Sequence, residues 1–298
     1  MYKKYKTKSK YHKIKISIKN LCTIAKVSES GFYKWKGNLN KRSDKESREL
    51  NDYITINKIF QQYNMTVGFR SIVMKLKDDY NICMNHKKVI RIMRKYNLTC
   101  KIRKTKSYKN SYVVNREENT YPNLLNTVFD SKIPNKIFHT DITYIKFGFG
   151  QYTAYLSAIK DQASKEIVAY KVSNSLEIPI VLDTLKNLEQ NKNTISFDKV
   201  IIHSDQGAHY TSKKYRNEVN RLGLTASMSR RGKCVDNSPI ETFFGHMKDE
   251  INFSTIRTYE EVEYVMNRYI NYYNTNRPQW KLKKMTPEKY RNHLLEVA

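Results

Sequence analysis

The 298-residue chain contains no apolar run long enough to span a bilayer and opens on no signal peptide. Its first residues, Met1-Tyr2-Lys3-Lys4-Tyr5-Lys6, are basic, but no hydrophobic stretch follows them. A cytoplasmic protein without a membrane partner is therefore expected. Cysteine is scarce: Cys22, Cys83, Cys100 and Cys234 are too far apart for a CxxC pair, so they read as core or incidental thiols. The 7 histidines form no HxxxH or mixed Cys/His group, which argues against a structural zinc. No internal repeat and no sustained heptad is found, so a solenoid or a coiled coil is not expected.

Negative charge is also scarce. Against 55 Lys and Arg stand 28 Asp and Glu, a formal net charge of +27. Such a chain repels itself unless a polyanion neutralises it, and nucleic acid is the usual one. The imbalance is local: residues 1–120 carry 30 basic and 9 acidic residues, whereas residues 121–298 carry 25 and 19. An AT-rich genome would inflate lysine everywhere, but not concentrate the excess in the first part. Apolar residues make up 39% of the chain, enough for a packed core.

The organisation follows from periodicity. Leu21, Ile24 and Ala25 share one helical face, Val27-Ser28 supplies a turn and an N-cap, and Phe32, Tyr33 and Trp35 follow on a second helix. This reads as a helix-turn-helix, or equally as a small packed helical hairpin. Two clearer helices are expected over 69–79 (Phe69, Ile72, Val73, Leu76) and 86–97 (Val89, Ile92, Met93, Tyr96), with Asn85 as N-cap. The exposed face of the second carries Lys87, Lys88, Arg91, Arg94 and Lys95, one sign only, which favours DNA contact over a merely solvated face. A basic linker holding Lys101, Arg103 and Lys104 follows. The expected domains are an N-terminal helical region 1–60, a helix-turn-helix-like subdomain 61–100, the linker 101–125 and a catalytic core 126–298.

Beyond 126 the pattern turns to α/β. Strands are expected over 137–145, 152–159 and 166–172 as an antiparallel meander. A crossover helix over 176–190, a buried strand 199–205, a helix 212–222, a strand 225–228 and long helices from 238 and from 258 follow. Three carboxylates stand out by position. Asp141 lies inside the first strand, Asp205 ends the apolar run Val200-Ile201-Ile202, and Glu241 begins a helix. A buried acid is costly unless it is paired or binds a cation. Three that converge would repel one another, and a hard divalent ion with oxygen ligands relieves that repulsion.

Between Asp205 and Glu241 lie 35 residues. This spacing resembles that of the DDE integrase and transposase superfamily, and the flanking stretches resemble one branch, the IS-three-type insertion-sequence transposases encoded by a second reading frame. Those stretches are Thr140-Asp141-Ile142-Thr143-Tyr144, His203-Ser204-Asp205-Gln206-Gly207 with Tyr210-Thr211-Ser212, Met228 through Asn237 into Glu241-Thr242-Phe243-Phe244, and Tyr273-Asn274-Thr275-Asn276-Arg277. Gly68-Phe69-Arg70 through Arg91-Ile92-Met93 is similar too. Two departures are Phe138-His139, where many relatives carry Trp before the first Asp, and Gln279-Trp280, where many carry His.

The resemblance implies an RNase H-like catalytic core, a mixed five-stranded sheet flanked by helices, preceded by an all-α DNA-binding region. It implies that Asp141, Asp205 and Glu241 are catalytic and hold Mg²⁺ or Mn²⁺, two ions, for DNA cleavage and strand transfer. The implied partners are the terminal inverted repeats and target DNA. A homo-oligomer on DNA and fusion to the upstream first-frame product are also implied. Lys248, two helical turns after Glu241, would hold phosphate; a solvated lysine is the alternative. Arg230, Arg231 and Lys233 form a basic loop before the catalytic helix, Gly207 allows an unusual φ, and Asp236 is expected to cap that helix. His203 could bond a ligand carboxylate or be a satisfied core histidine. A DNA-binding regulator or decayed copy without catalysis, and a nuclease that only hydrolyses DNA, are the competing readings of function.

Overall fold

A computed structural model describes residues 17–101, 120–126, 131–191, 199–230 and 234–297. The expected linker positions Arg103 and Lys104, and Arg231 and Lys233 of the basic loop, lie outside the described residues. The chain divides into two compact units at Thr55/Ile56.

The first unit holds α1 (Ile18–Ile24), α2 (Glu29–Gly37) and the start of α3 (Leu39–Gln62). Ser28 caps α2 as expected, its hydroxyl accepting from Gly31 N–H at 3.1 Å. The apolar face expected on α1 is not buried: Leu21 and Ile24 are exposed, and Cys22 is the buried residue of that helix. Helices of 7 and 9 residues are too short to enclose a wide stripe between them.

In the second unit, α4 (Phe69–Tyr80) and α5 (His86–Lys95) pack through Ile72, Leu76, Val89 and Ile92, all fully buried. Asn85 caps α5, accepting from Lys87 N–H at 2.8 Å, and left-handed Asn81 closes α4. The pair rests on the rest of the unit through buried Lys75. Its Nζ donates to Asn276 O at 2.9 Å and stands 4.9 Å from the Tyr63 ring.

Five strands form one sheet: β1 (Ile137–Phe147), β2 (Tyr152–Asp161), β3 (Ile167–Ser173), β4 (Ile201–Ser204) and β5 (Thr225–Met228), in the order β3-β2-β1-β4-β5. The first three are the expected antiparallel meander; β4 and β5 run parallel to β1. One face packs on α9 (Ser238–Glu250) and α10 (Tyr259–Thr275) through Ile145, Leu156, Phe243, Met247 and Met266. The other packs on α6 (Pro179–Glu189) and α8 (Lys213–Arg221) through Phe138, Ile159, Leu185, Ile202 and Val219. The short α7 (Ala208–Thr211) leads into α8, and α11 (Pro287–Val297) follows α10. Among the described residues no helix is long and apolar enough to cross a membrane.

Candidate active site

Register brings the first two acids together. His139 on β1 pairs with His203 on parallel β4, so Asp141 and Asp205 each lie two residues further toward the carboxyl ends of adjacent strands. Adjacent strands lie about 4.8 Å apart, and the carboxyl ends of strands in an open α/β sheet are where ligands gather. Alternation turns Asp141 to the same face as Thr143 and Ile145, the face covered by α9. Glu241 lies in the first turn of α9, whose Phe243, Phe244 and Met247 fix the helix against β1 and β2.

All three carboxyls are perturbed, first by burial. Partial burial, with the charges of Asp205 and Glu241, pushes Asp141 up to about 7, against the lowering effect of Ile142 N–H and Lys248. Asp205 and Glu241 are also raised, chiefly by the protein packed around them although both residues face solvent, and Glu241 further by Asp205. Asp141 Oδ1 accepts from Ile142 N–H at 2.7 Å and Asp205 Oδ1 from Gly207 N–H at 2.9 Å. Among the described residues no hydrogen bond engages their Oδ2 atoms or either oxygen of Glu241, so the donor set is all oxygen with ligating capacity unspent. That chemistry fits a hard divalent cation. Among the described residues no three His, Cys, Asp or Glu side chains are gathered closely enough to hold an ion.

The supporting residues explain why α9 starts where it does. Asn237 donates to Thr140 O at 3.1 Å, and its Oδ1 lies 3.1 Å from His139 Nδ1, which ties the helix entrance to the strand beside Asp141. Burial holds His139 down to about 4, so it is neutral. On its other side His139 Nε2 lies 2.8 Å from Gln162 Oε1, so the ring is pinned between two amide side chains. Buried Lys160 donates to Pro239 O at 2.8 Å, fixing the first turn from the other side. At the far end, Arg277 forks onto Glu250 at 2.6–3.1 Å. None of these roles is legible in the sequence alone. Asn237 and Arg277 stand inside the family-like stretches, but what they hold is decided by neighbours about 100 and 27 residues away.

Two expectations change here, and one open alternative is decided. Gly207 has an ordinary φ of −63°. It is needed for space, because a Cβ there would meet Asp205 Oδ1 at 2.9 Å. Asp236 does not cap α9; its carboxylate takes Arg230 N–H, the Arg230 guanidinium and Asn123 Nδ2 at 2.9–3.1 Å, and these partners hold it down to about 2. Arg230 thus ties the chain after β5 to the helix entrance. His203 is a satisfied core histidine, between Ser227 Oγ at 2.9 Å and Ser229 Oγ at 3.0 Å on the β5 side.

Of the other expected contacts, Lys248 Nζ donates to Thr143 Oγ1 at 2.5 Å, two residues from Asp141 along β1. Lys87, Lys88, Arg91, Arg94 and Lys95 all lie on the exposed face of α5, opposite Val89, Ile92 and Met93, and Lys101 is exposed.

This sheet order, with helices on both faces and a helical pair ahead of it, defines an RNase H-like core of the integrase type. Models of the integrase core domain match residues 131–234 and 222–287, and an HTH-like domain model matches residues 46–106. A transposase-like protein of Haemophilus influenzae is 37% identical over 227 residues, 75% of this chain and 100% of the relative. The transposase for insertion sequence element IS904 of Lactococcus lactis is 33% identical over 58% of this chain and 67% of its own length. Transposase InsF for insertion sequence IS3A of Escherichia coli is 28% identical over 80% and 81%. Among solved structures, the HTLV-2 integrase catalytic core domain in complex with magnesium aligns with a TM-score of 0.40 at 13% identity, covering 53% of this chain and 97% of that one. The catalytic domain of Mos1 mariner transposase aligns at 0.39 and 15%, covering 55% and 77%. The chain belongs to the insertion-sequence transposases of the IS-three type, a family of polynucleotidyl-transferring enzymes.

Proposed function

We propose that Asp141, Asp205 and Glu241 hold two divalent cations, Mg²⁺ or Mn²⁺, for cleavage and strand transfer at the ends of an insertion sequence. The observation that carries this reading is that burial raises all three acids, which come from two parallel strands and one helix, that Asp205 and Glu241 further raise Asp141, and that ligand oxygens stay unspent. Bound there, such ions would supply charge neutralisation at the scissile phosphate and an activated attacking oxygen. The residues of the chain do the positioning. Ile142 N–H and Gly207 N–H fix one oxygen of each Asp, and Asn237 and Lys160 fix the helix entrance that presents Glu241. Lys248, on the Asp141 side, supplies a cation for the DNA phosphate.

The DNA partners are the element's terminal repeats and its target. Helix α5 presents Lys87, Lys88, Arg91, Arg94 and Lys95 to a duplex, and Lys101, Arg103 and Lys104 track phosphates in the linker 101–125. Arg231 and Lys233 contact DNA near the cut, with Arg230 anchoring their loop. Residues 1–60, 61–100 and 126–298 act as the N-terminal helical, helix-turn-helix-like and catalytic regions. Assembly is as a homo-oligomer on two ends, alone or fused to the upstream first-frame product.

The test is joining of a labelled 3′-OH oligonucleotide carrying the terminal repeat, with Mg²⁺. Wild type joins and Asp205→Asn does not. Equal joining by both refutes the catalytic assignment, and cleavage without joining makes the chain a nuclease.

A further inference from the structure

The β1–β2 hairpin runs on past the acids and ends in a tight turn, anchored by Gly148 N–H donating to Ile256 O at 2.9 Å, that leaves one large apolar side chain in water. Phe149, at the tip, lies in the left-handed region at φ +57° between Gly148 at +56° and Gly150 at +87°. That conformation is costly for a bulky residue, and strain of this kind concentrates where function demands it. The ring is also 74% exposed, so its apolar surface is left in water. One of its faces is covered by the Arg257 guanidinium, 3.5 Å from the ring centroid, which Ser254 O holds through Nη1 at 3.0 Å. Its other face is open.

The strand behind the tip repeats the chemistry. Tyr144 is 54% exposed and meets Tyr155 of β2 edge-on at 5.3 Å. Lys146, two residues on and about 7 Å along the same face, is exposed and reaches Thr153 across the hairpin. Tyr144 stands three residues beyond Asp141, about 10 Å along β1. Open aromatic rings thus alternate with cations along the hairpin that carries Asp141, with Tyr144 and Lys146 on the face of β1 opposite to Asp141.

Aromatic faces interleaved with cations suit unpaired nucleic acid, since each base offers a π-face and each phosphate a charge. In a duplex those faces are already stacked on one another, and a phenyl ring has no group with which to read a base edge. We propose that this hairpin is a binding site for an unpaired DNA strand. Bases stack on Tyr144 and on the open face of Phe149, and Lys146 and Arg257 meet the phosphates between them. The proposal deepens the functional reading above, on which it rests for the nature of the polymer: the duplex end is opened near the acids and one strand is led away along the hairpin.

Fluorescence anisotropy of the full chain with a labelled oligothymidylate of about eight residues, against a blunt duplex, tests this. Tyr144→Thr keeps a strand-forming residue, and Phe149→Gly keeps the left-handed turn. Each is expected to weaken oligothymidylate binding at least about fivefold while duplex binding changes less than about twofold, and Tyr144→Phe to bind as wild type. In wild type, photo-crosslinking of a halogenated-uracil oligonucleotide should map to Tyr144 or Phe149, which keeps the test independent of variant folding. Unchanged affinity in both variants, equal losses on duplex and single strand, or crosslinks confined to other segments would overturn the proposal. So would a changed oligomeric state at unchanged oligothymidylate affinity, which would make the hairpin a contact between copies. The two readings fail separately: wild type that joins ends without using the hairpin sinks this inference alone. Hairpin-dependent binding without any joining sinks the catalytic reading alone.

Discussion

Gly207 illustrates how little room the site leaves. The hydrogen bond from its N–H to Asp205 Oδ1 brings the carboxylate so close that a methyl group at 207 would sit 2.9 Å from that oxygen. Gly207→Ala is therefore expected to push the Asp205 carboxylate off its anchor. Its backbone conformation suits alanine, so the thermal midpoint should fall by no more than about 3 °C while strand joining drops at least about tenfold. Joining at the wild-type rate would mean that the anchor is dispensable. The acids themselves were legible in the sequence, because a carboxylate at the end of an apolar run needs a reason to be there. The reason for Gly207 was not. Sequence offers unusual φ as the usual explanation for glycine, and only the folded loop reveals that the requirement is volume. Asp236 likewise looks like a cap until the position of Arg230 is known.

At the scale of elements, α9 is held from three sides, and two of the holds involve buried charge. Lys160, enclosed under the helix entrance with Arg277 nearby, has its pKa lowered to about 7. Between about pH 7 and its unfolded value of 10.5 the unfolded chain binds the proton and the folded chain does not, so stability should rise with pH across that window. Below about pH 7 both states are charged and the burial cost is fully present. Lys160→Met should remove this slope, and the wild-type-minus-variant difference in chemical denaturation should change by on the order of 2 kcal/mol from pH 7 to 10. A flat difference would place the Lys160 amine in a more polar setting than its packing implies. At the other end, Arg277 and Glu250 form a largely enclosed fork. Arg277→Met alone should cost about 3–5 kcal/mol, and adding Glu250→Leu should recover most of it, since the penalty is the stranded charge. Additive losses in that cycle would argue for a packing role instead. The strands, their order of appearance and most helices could be read from periodicity, with edges shifted by one to three residues. The 24-residue α3 and α11 could not, because α3 sets Glu49 on its buried face and α11 buries only Pro287 among the described residues.

Along the whole chain, the excess of positive charge and the candidate acids occupy different parts. The excess of basic residues lies in residues 1–120, whereas the acids, the sheet and the helix that presents Glu241 lie beyond them. Lys75 links the α4–α5 pair to the carbonyl of Asn276, one residue from Arg277, so the basic helices rest on the segment that grips the far end of α9. Helix α5 and the three acids thus belong to one compact unit. The central claim is that those three side chains act as metal ligands, and changing the donor atom at one of them tests it most directly. Asp205→Cys replaces a hard oxygen by sulfur, which Mg²⁺ disfavours and the softer Mn²⁺ tolerates. This variant is expected to join terminal-repeat ends at less than about 1% of the wild-type rate in Mg²⁺ and to regain at least about tenfold in Mn²⁺, while Asp205→Asn stays inactive in both. Joining by Asp205→Cys at the wild-type rate in Mg²⁺, or no difference between the two metals, would contradict that claim.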